Sequence, residues 1–222
     1  MVRMSLPKPR AILFDWDNTL VNTWPLIHEA LNMTLRYMGH PEWTAERVRD
    51  EVKQSMRDKF PPMFGERWKE AADHYQQSYR SIHLSNLQPL EGAKEMIESI
   101  ARPPMFLGIV SNKMGKTLRE ELVHLGWDKY FDVAVGASDA ARDKPHPEPV
   151  LFALKDSGIA PGSDVWFIGD TDVDLKVAQA TGCTPVLYGD FKTDGKTHDG
   201  VPFAAHAKDQ AALKKLIAAS CA

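Results

Sequence analysis

Phe14-Asp15-Trp16-Asp17-Asn18-Thr19-Leu20 follows directly on the apolar run Ala11-Ile12-Leu13. A short unbroken apolar run reads as a strand buried on both faces. Parallel strands present functional residues at their C-terminal ends, where Asp15 stands. Asp17 is separated from it by one residue, and Thr19 lies two further on. This order suits phosphoryl chemistry: one carboxylate to attack, a second to handle the proton, and a hydroxyl to hold an oxyanion. The same residues also describe acids in an ordinary turn, so the rest of the chain has to decide.

After this strand the pattern is helical as far as residue 86. Thr23-Trp24-Pro25 is a helix entry, with proline tolerated in the first turn. Leu26, Ala30, Met33 and Tyr37 share one face, and Gly39 ends that helix. Thr44 opens a second helix through Val48, Val52 and Met56, which Phe60-Pro61-Pro62 is expected to break. A third follows Gly65, its stripe of Trp68, Ala72, Tyr75, Tyr79 and Ile82 reading as core.

From Leu90 onward helices and strands alternate. Strands are expected at 105–110, 131–135, 165–168 and 184–188, and helices at 91–101, 116–125, 147–157, 172–181 and 209–219. Alternation of this kind predicts a doubly wound parallel sheet with helices on both faces, an α/β fold. The first strand precedes the helical block and the others follow it. The block is therefore an inserted all-helical cap over residues 23–86, with 1–22 and 87–222 forming the α/β core.

Hydrophobic residues make up 43% of the chain and charged residues 26%, which is ordinary for a soluble globular protein. A formal net charge of -3 gives no reason to expect nucleic acid as a partner. Cys183 and Cys221 are too far apart to suggest a disulfide framework and point to a reducing cytoplasm. Residues 1–10 are basic but lack the apolar centre of a signal peptide, and no run is long enough to span a bilayer. A cytoplasmic protein without membrane partners, acting as a monomer, is the expectation.

Three further sites fall just after expected strands: Ser111, Lys144 in Asp143-Lys144-Pro145-His146-Pro147, and Asp170 with Asp174 in Gly169-Asp170-Thr171-Asp172-Val173-Asp174. Loops at the carboxyl edge of a parallel sheet converge on one crevice. Asp15, Asp17, Asp170 and Asp174 would bring four negative charges there against one from Lys144. Such a group cannot all stay ionised without a cation. Hard oxygen ligands, with no histidine or cysteine nearby, point to Mg2+ rather than zinc.

The four ordered motifs, Asp15-Trp16-Asp17-Asn18-Thr19, Ser111, Lys144 and Gly169-Asp170-x-x-x-Asp174, resemble those of the haloacid dehalogenase-like (HAD) superfamily. The resemblance runs from about Ala11 to the last helix. The helical insertion looks like the C1-type cap of the phosphoglycolate-phosphatase-like branch, and Ser111-Asn112-Lys113 and Lys144-Pro145-x-Pro147 are similar to that branch. The resemblance implies a Rossmann-like core and a Mg2+-dependent phosphatase that hydrolyses a small phosphorylated metabolite, a phosphomonoester, through an aspartyl-phosphate. Asp15 would be the nucleophile and Asp17 the acid and then the base. Asp15, Asp170 and the backbone carbonyl of Asp17 would ligate the metal, with Asp174 behind them. Thr19, Ser111, Asn112 and Lys144 would hold the phosphoryl group.

Asn18 stands where the family commonly has glycine, and asparagine tolerates left-handed backbone best among the other residues. Trp16 should point away from Asp15 into the core. His28, Arg57 and Lys59 are the candidates for gripping the rest of the substrate. A phosphomutase would use the same two acids. A phospho-receiver module or a catalytically silent binding protein is a more distant alternative.

Overall fold

The computed structural model describes residues 6–52, 54–193 and 195–221. Its frame is a six-stranded sheet in the order β10-β7-β6-β1-β4-β5, with every pairing parallel. The strands are β1 (Ala11–Phe14), β4 (Phe106–Met114), β5 (Val133–Ala137), β6 (Val165–Gly169), β7 (Thr184–Tyr188) and β10 (Ala205–Ala207). From β1 the chain builds outward through β4 and β5, then returns to the other side of β1 for β6, β7 and β10. Strand order therefore reverses around β1, and the crevice at its carboxyl end is the usual place for a ligand in such sheets.

Side chains along β1 alternate between two cores, as a pleated strand requires. Ala11 and Leu13 face one cluster with Phe167, Val150 and Val177, under α7 (Glu148–Leu154) and α8 (Asp172–Thr181). Ile12 and Phe14 face the other, with Ile168, Met96, Leu118 and Leu213. Those last three come from α5 (Ala93–Ile100), α6 (Gly115–His124) and α9 (Gln210–Cys221). No helix among the described residues is long and apolar enough to cross a membrane.

Between β1 and α5 stand α1 (Trp24–Tyr37), α2 (Ala45–Glu51), α3 (Met56–Phe64) and α4 (Trp68–Asn86). The chain enters and leaves this helical segment through a small antiparallel pair, β2 (Val21–Asn22) with β3 (Gln88–Pro89). The expected single helix from Thr44 past Met56 is in fact two. Thr44 caps the first by accepting from the Arg47 N–H. The Ser55 carbonyl opens the second by accepting from Asp58 and Lys59. Pro61 and Pro62 lie inside α3 rather than ending it. They remove two donors, but buried Phe60 and Phe64 anchor the turn and the Gly65 N–H still reaches the Pro61 carbonyl.

Several short strands escaped the sequence pattern, β2 and β3 among them. β10 is too short to show a periodic signal, and part of the polar loop over 190–202 forms a hairpin of β8 (Thr197–His198) and β9 (Val201–Pro202). Val201 pins that hairpin to Leu175 and Leu187.

β4 also runs beyond its expected end. The step from Val110 to Met114 spans only the step from Val135 to Ala137 on β5, so residues 111–113 bulge out of the ladder. Gly136 permits this, because a Cβ there would lie 2.6 Å from the Lys113 carbonyl oxygen and 2.5 Å from the Gly115 nitrogen. Gly136→Ala should therefore destabilise the fold by about 1–3 kcal/mol, read as a lower urea midpoint at unchanged slope.

Candidate active site

The C-terminal end of β1 delivers Asp15, whose N–H donates to the Ile168 carbonyl of β6 at 2.8 Å. Lys144, from the loop after β5, is 2% exposed, and its Nζ donates to Asp15 Oδ1 at 2.8 Å and Asp174 Oδ1 at 2.7 Å. The second oxygen of Asp174 accepts from the N–H and hydroxyl of Thr171, capping α8. Asp170 opens the loop after β6. Asp15, Asp170 and Asp174 each offer an oxygen within 4.8 Å of the other two.

Burial pushes Asp15 up, Lys144 opposes it, and Asp174 and Asp17 add to it, so that Asp15 is raised to about 6. Burial, then Asp15 and Asp174, hold Asp170 well above the carboxylate range. Burial works against the Lys144 ammonium, but the charges of Asp15 and Asp174 outweigh it and raise the group. Three buried carboxylates against one ammonium leave negative charge in excess. The donor set is hard oxygen, so a divalent cation fits it.

Asp17 stands apart from this cluster. Its Oδ1 lies 2.7 Å from Lys113 Nζ, supplied by the bulge in β4. All four acids line one cavity, but the carboxylates close enough to share an ion are those of Asp15, Asp170 and Asp174, while that of Asp17 faces Lys113. Thr19 also differs from expectation. It is fully buried and does not line the cavity; its hydroxyl lies 3.4 Å from Asp170 Oδ1 and its carbonyl accepts from Gln210. Ser111 and Asn112 do reach the cavity wall. The Asn112 side chain is spent on the Lys144 main chain, donating to its carbonyl and accepting from its N–H, both at 3.0 Å. Asn18 has φ +60, and its Oδ1 accepts from the N–H groups of Thr23 and Trp24 at the start of α1.

Lys113 belongs to a buried network that the motifs did not reveal. It donates to Tyr79 Oη at 2.5 Å and to Glu121 at 3.1 Å. Glu121, fully buried on α6, also accepts from Trp16 Nε1 at 2.6 Å, Tyr79 Oη at 3.0 Å and His83 Nδ1 at 3.0 Å. Trp16 is buried and packs edge-on to Trp127. A signal existed: Glu121 shares the apolar face of α6 with Leu118 and Leu122, where a lone acid needs a partner.

A cavity of about 130 Å³ opens above Asp15, between the sheet edge and the helical segment. Its floor is Asp15, Ser111, Lys144 and Asp170, and its roof includes Trp24, Trp43, Phe60, Met63 and Tyr75. Of the three candidates for gripping substrate, Lys59 lines this cavity, paired with Glu51 at 2.6 Å. His28 and Arg57 do not. His28 Nε2 lies 2.9 Å from the Trp43 carbonyl and 3.0 Å from Asn32 Nδ2, bracing the loop before α2. Arg57 reaches across to Asp143, 2.6 Å from its Oδ1, and to the Ala141 carbonyl.

The chain and its fold have known counterparts. Residues 12–187 match the haloacid dehalogenase-like hydrolase family, and the chain belongs to it. It is 29% identical over 182 residues to phosphoglycolate phosphatase of Xanthomonas campestris pv. campestris, covering 80% of this chain and 82% of that one. It is 28% identical over 179 residues to pyrophosphatase PpaX of Bacillus mycoides, covering 81% and 83%. A HAD-superfamily hydrolase from Ehrlichia chaffeensis superposes with a TM-score of 0.66 at 29% identity, over 98% of this chain and all of that one. These similarities make the chain an enzyme, a phosphatase of the phosphoglycolate-phosphatase-like branch.

Burial pushes Glu121 up, but the Lys113 charge and the hydrogen bonds from His83, Trp16 and Lys113 more than reverse it, to about 2. A carboxyl held below its ordinary 4.5 contributes stability that is complete above that pH and is lost as pH falls towards about 2. Glu121→Gln should cost about 3 kcal/mol near neutrality. The gap to the parent should close below pH 4.5 in urea unfolding across a pH series.

Proposed function

We propose that the protein is a Mg2+-dependent phosphatase of small phosphomonoesters that works through an aspartyl-phosphate on Asp15. The observation that carries this reading is the buried Lys144 ammonium between Asp15 and Asp174, at the floor of a roofed cavity. Lys144 keeps Asp15 oriented towards the cavity and gives a phosphoryl group a positive partner there. Ser111 and the N–H groups of the turn after Asp15 supply further donors. Asn112 serves by fixing the Lys144 backbone, and Thr19 by backing Asp170.

In the first half-reaction an Asp15 oxygen attacks phosphorus and the bond to the leaving oxygen breaks. Asp17 gives that oxygen its proton, releasing a neutral alcohol. In the second half-reaction Asp17 takes a proton from water as the water oxygen attacks phosphorus. The Asp15–phosphate bond breaks, and phosphate leaves. Asp15, Asp170 and the Asp17 carbonyl would hold Mg2+, which when bound offsets the charge of the acids and of the phosphoryl oxygens. Asp174 keeps Lys144 in place. Residues 23–86 act as a cap domain on a core of 1–22 and 87–222, excluding water from the site during the first step.

Phosphate release from p-nitrophenyl phosphate with Mg2+ tests the reading. Asp15→Asn should bring turnover to background, and Asp17→Asn should lower kcat by about 100- to 10,000-fold. Chelation should abolish the parent's activity and added Mg2+ should restore it. Undiminished turnover in Asp15→Asn would sink the mechanism.

A further inference from the structure

We propose that the organic part of the substrate is uncharged and largely apolar, an aliphatic or aromatic alcohol esterified to phosphate. This rests on the phosphatase reading above and concerns the other end of the same cavity. Away from Asp15, the wall is formed by Trp24, Leu31, Trp43, Phe60, Met63 and Tyr75. Trp24, Met63 and Tyr75 are only half-buried although enclosed under the helical segment. Apolar surface left open inside a cavity continuous with the reaction centre is surface for the leaving group to cover.

The charges of the wall point the same way. A substrate with a second anionic group, such as a carboxylate, needs a cation to receive it. Three cations line the cavity among the described residues, and each already has an acid. Lys144 is held by Asp15 and Asp174, Lys113 by Asp17 and Glu121, and Lys59 by Glu51. Arg57 is turned away onto Asp143. The polar groups left on that wall are uncharged, the amides of Gln54 and Gln76 and the hydroxyl of Tyr75, which suit a hydroxyl or a carbonyl. The cavity's 130 Å³ would hold about four waters at liquid density, so the group it accepts is small.

Ethyl, butyl and hexyl phosphate share a leaving-group chemistry and differ in apolar surface, and phosphoglycolate adds a carboxylate. With the protein and Mg2+, kcat/KM should rise by about two- to fourfold per methylene until the chain fills the cavity. Phosphoglycolate should be turned over less efficiently than butyl phosphate. Met63→Lys should shift the ratio of phosphoglycolate to butyl phosphate at least tenfold towards the acid. That ratio is internal to one preparation and does not depend on how much of it is folded. A flat alkyl series would overturn the proposal. So would a preference for phosphoglycolate. No phosphate release from any ester, p-nitrophenyl phosphate included, would overturn the phosphatase reading and this inference together.

Discussion

Three carboxylates drawn to one edge of a sheet repel one another, and burial magnifies that repulsion. In this protein the Lys144 ammonium lies between two of them, within hydrogen-bonding distance of Asp15 and Asp174. Much of the surrounding structure serves that position. Asn112 clamps the Lys144 main chain, Asp174 is itself fixed by capping α8, and Asp15 is tied through its N–H to β6. Even so, Asp15 and Asp170 remain raised, which is the electrostatic case for a bound cation.

A second buried charge group lies beside the first and joins the helical segment to the sheet. Lys113 and Glu121 come from β4 and α6, whereas Tyr79 and His83 come from α4. Asp17, Lys113 and Tyr79 are where this network meets the cavity. Arg57 with Asp143, and Arg80 with Glu120, add two more bridges between the same parts. The Arg80 pair is more exposed, where such bridges are worth little. The fully buried Glu121 matters more.

Most of the sheet was legible because β1, β4, β6 and β7 are apolar runs bounded by turn residues, and burial on both faces demands such runs. The convergence of Asp15, Lys144, Asp170 and Asp174 was legible for the same reason, each standing just past a readable strand. β10 and the β8–β9 hairpin were not, being too short for any period. The split between α2 and α3 was missed because no glycine or proline stands between Glu51 and Met56 to mark it, and the stop was misplaced at Pro61 and Pro62, where the burial of Phe60 and Phe64 keeps the turn helical.

The amino-acid sequence by itself determined the α/β class, the place of the helical insertion and the residues gathered at the carboxyl edge. Those follow from local periodicity and from the rule that loops at one edge of a parallel sheet meet. Only the tertiary structure decided which charge faces which. Asp15 and Asp17 are near neighbours in the chain, yet one is held by Lys144 and the other by Lys113. Pairing of that kind depends on distances of a few ångströms between side chains far apart in sequence. The same is true of the cavity above Asp15, whose apolar roof joins Tyr75, which alone read as helix core, to Trp24 from a helix entry and Phe60 from an expected break.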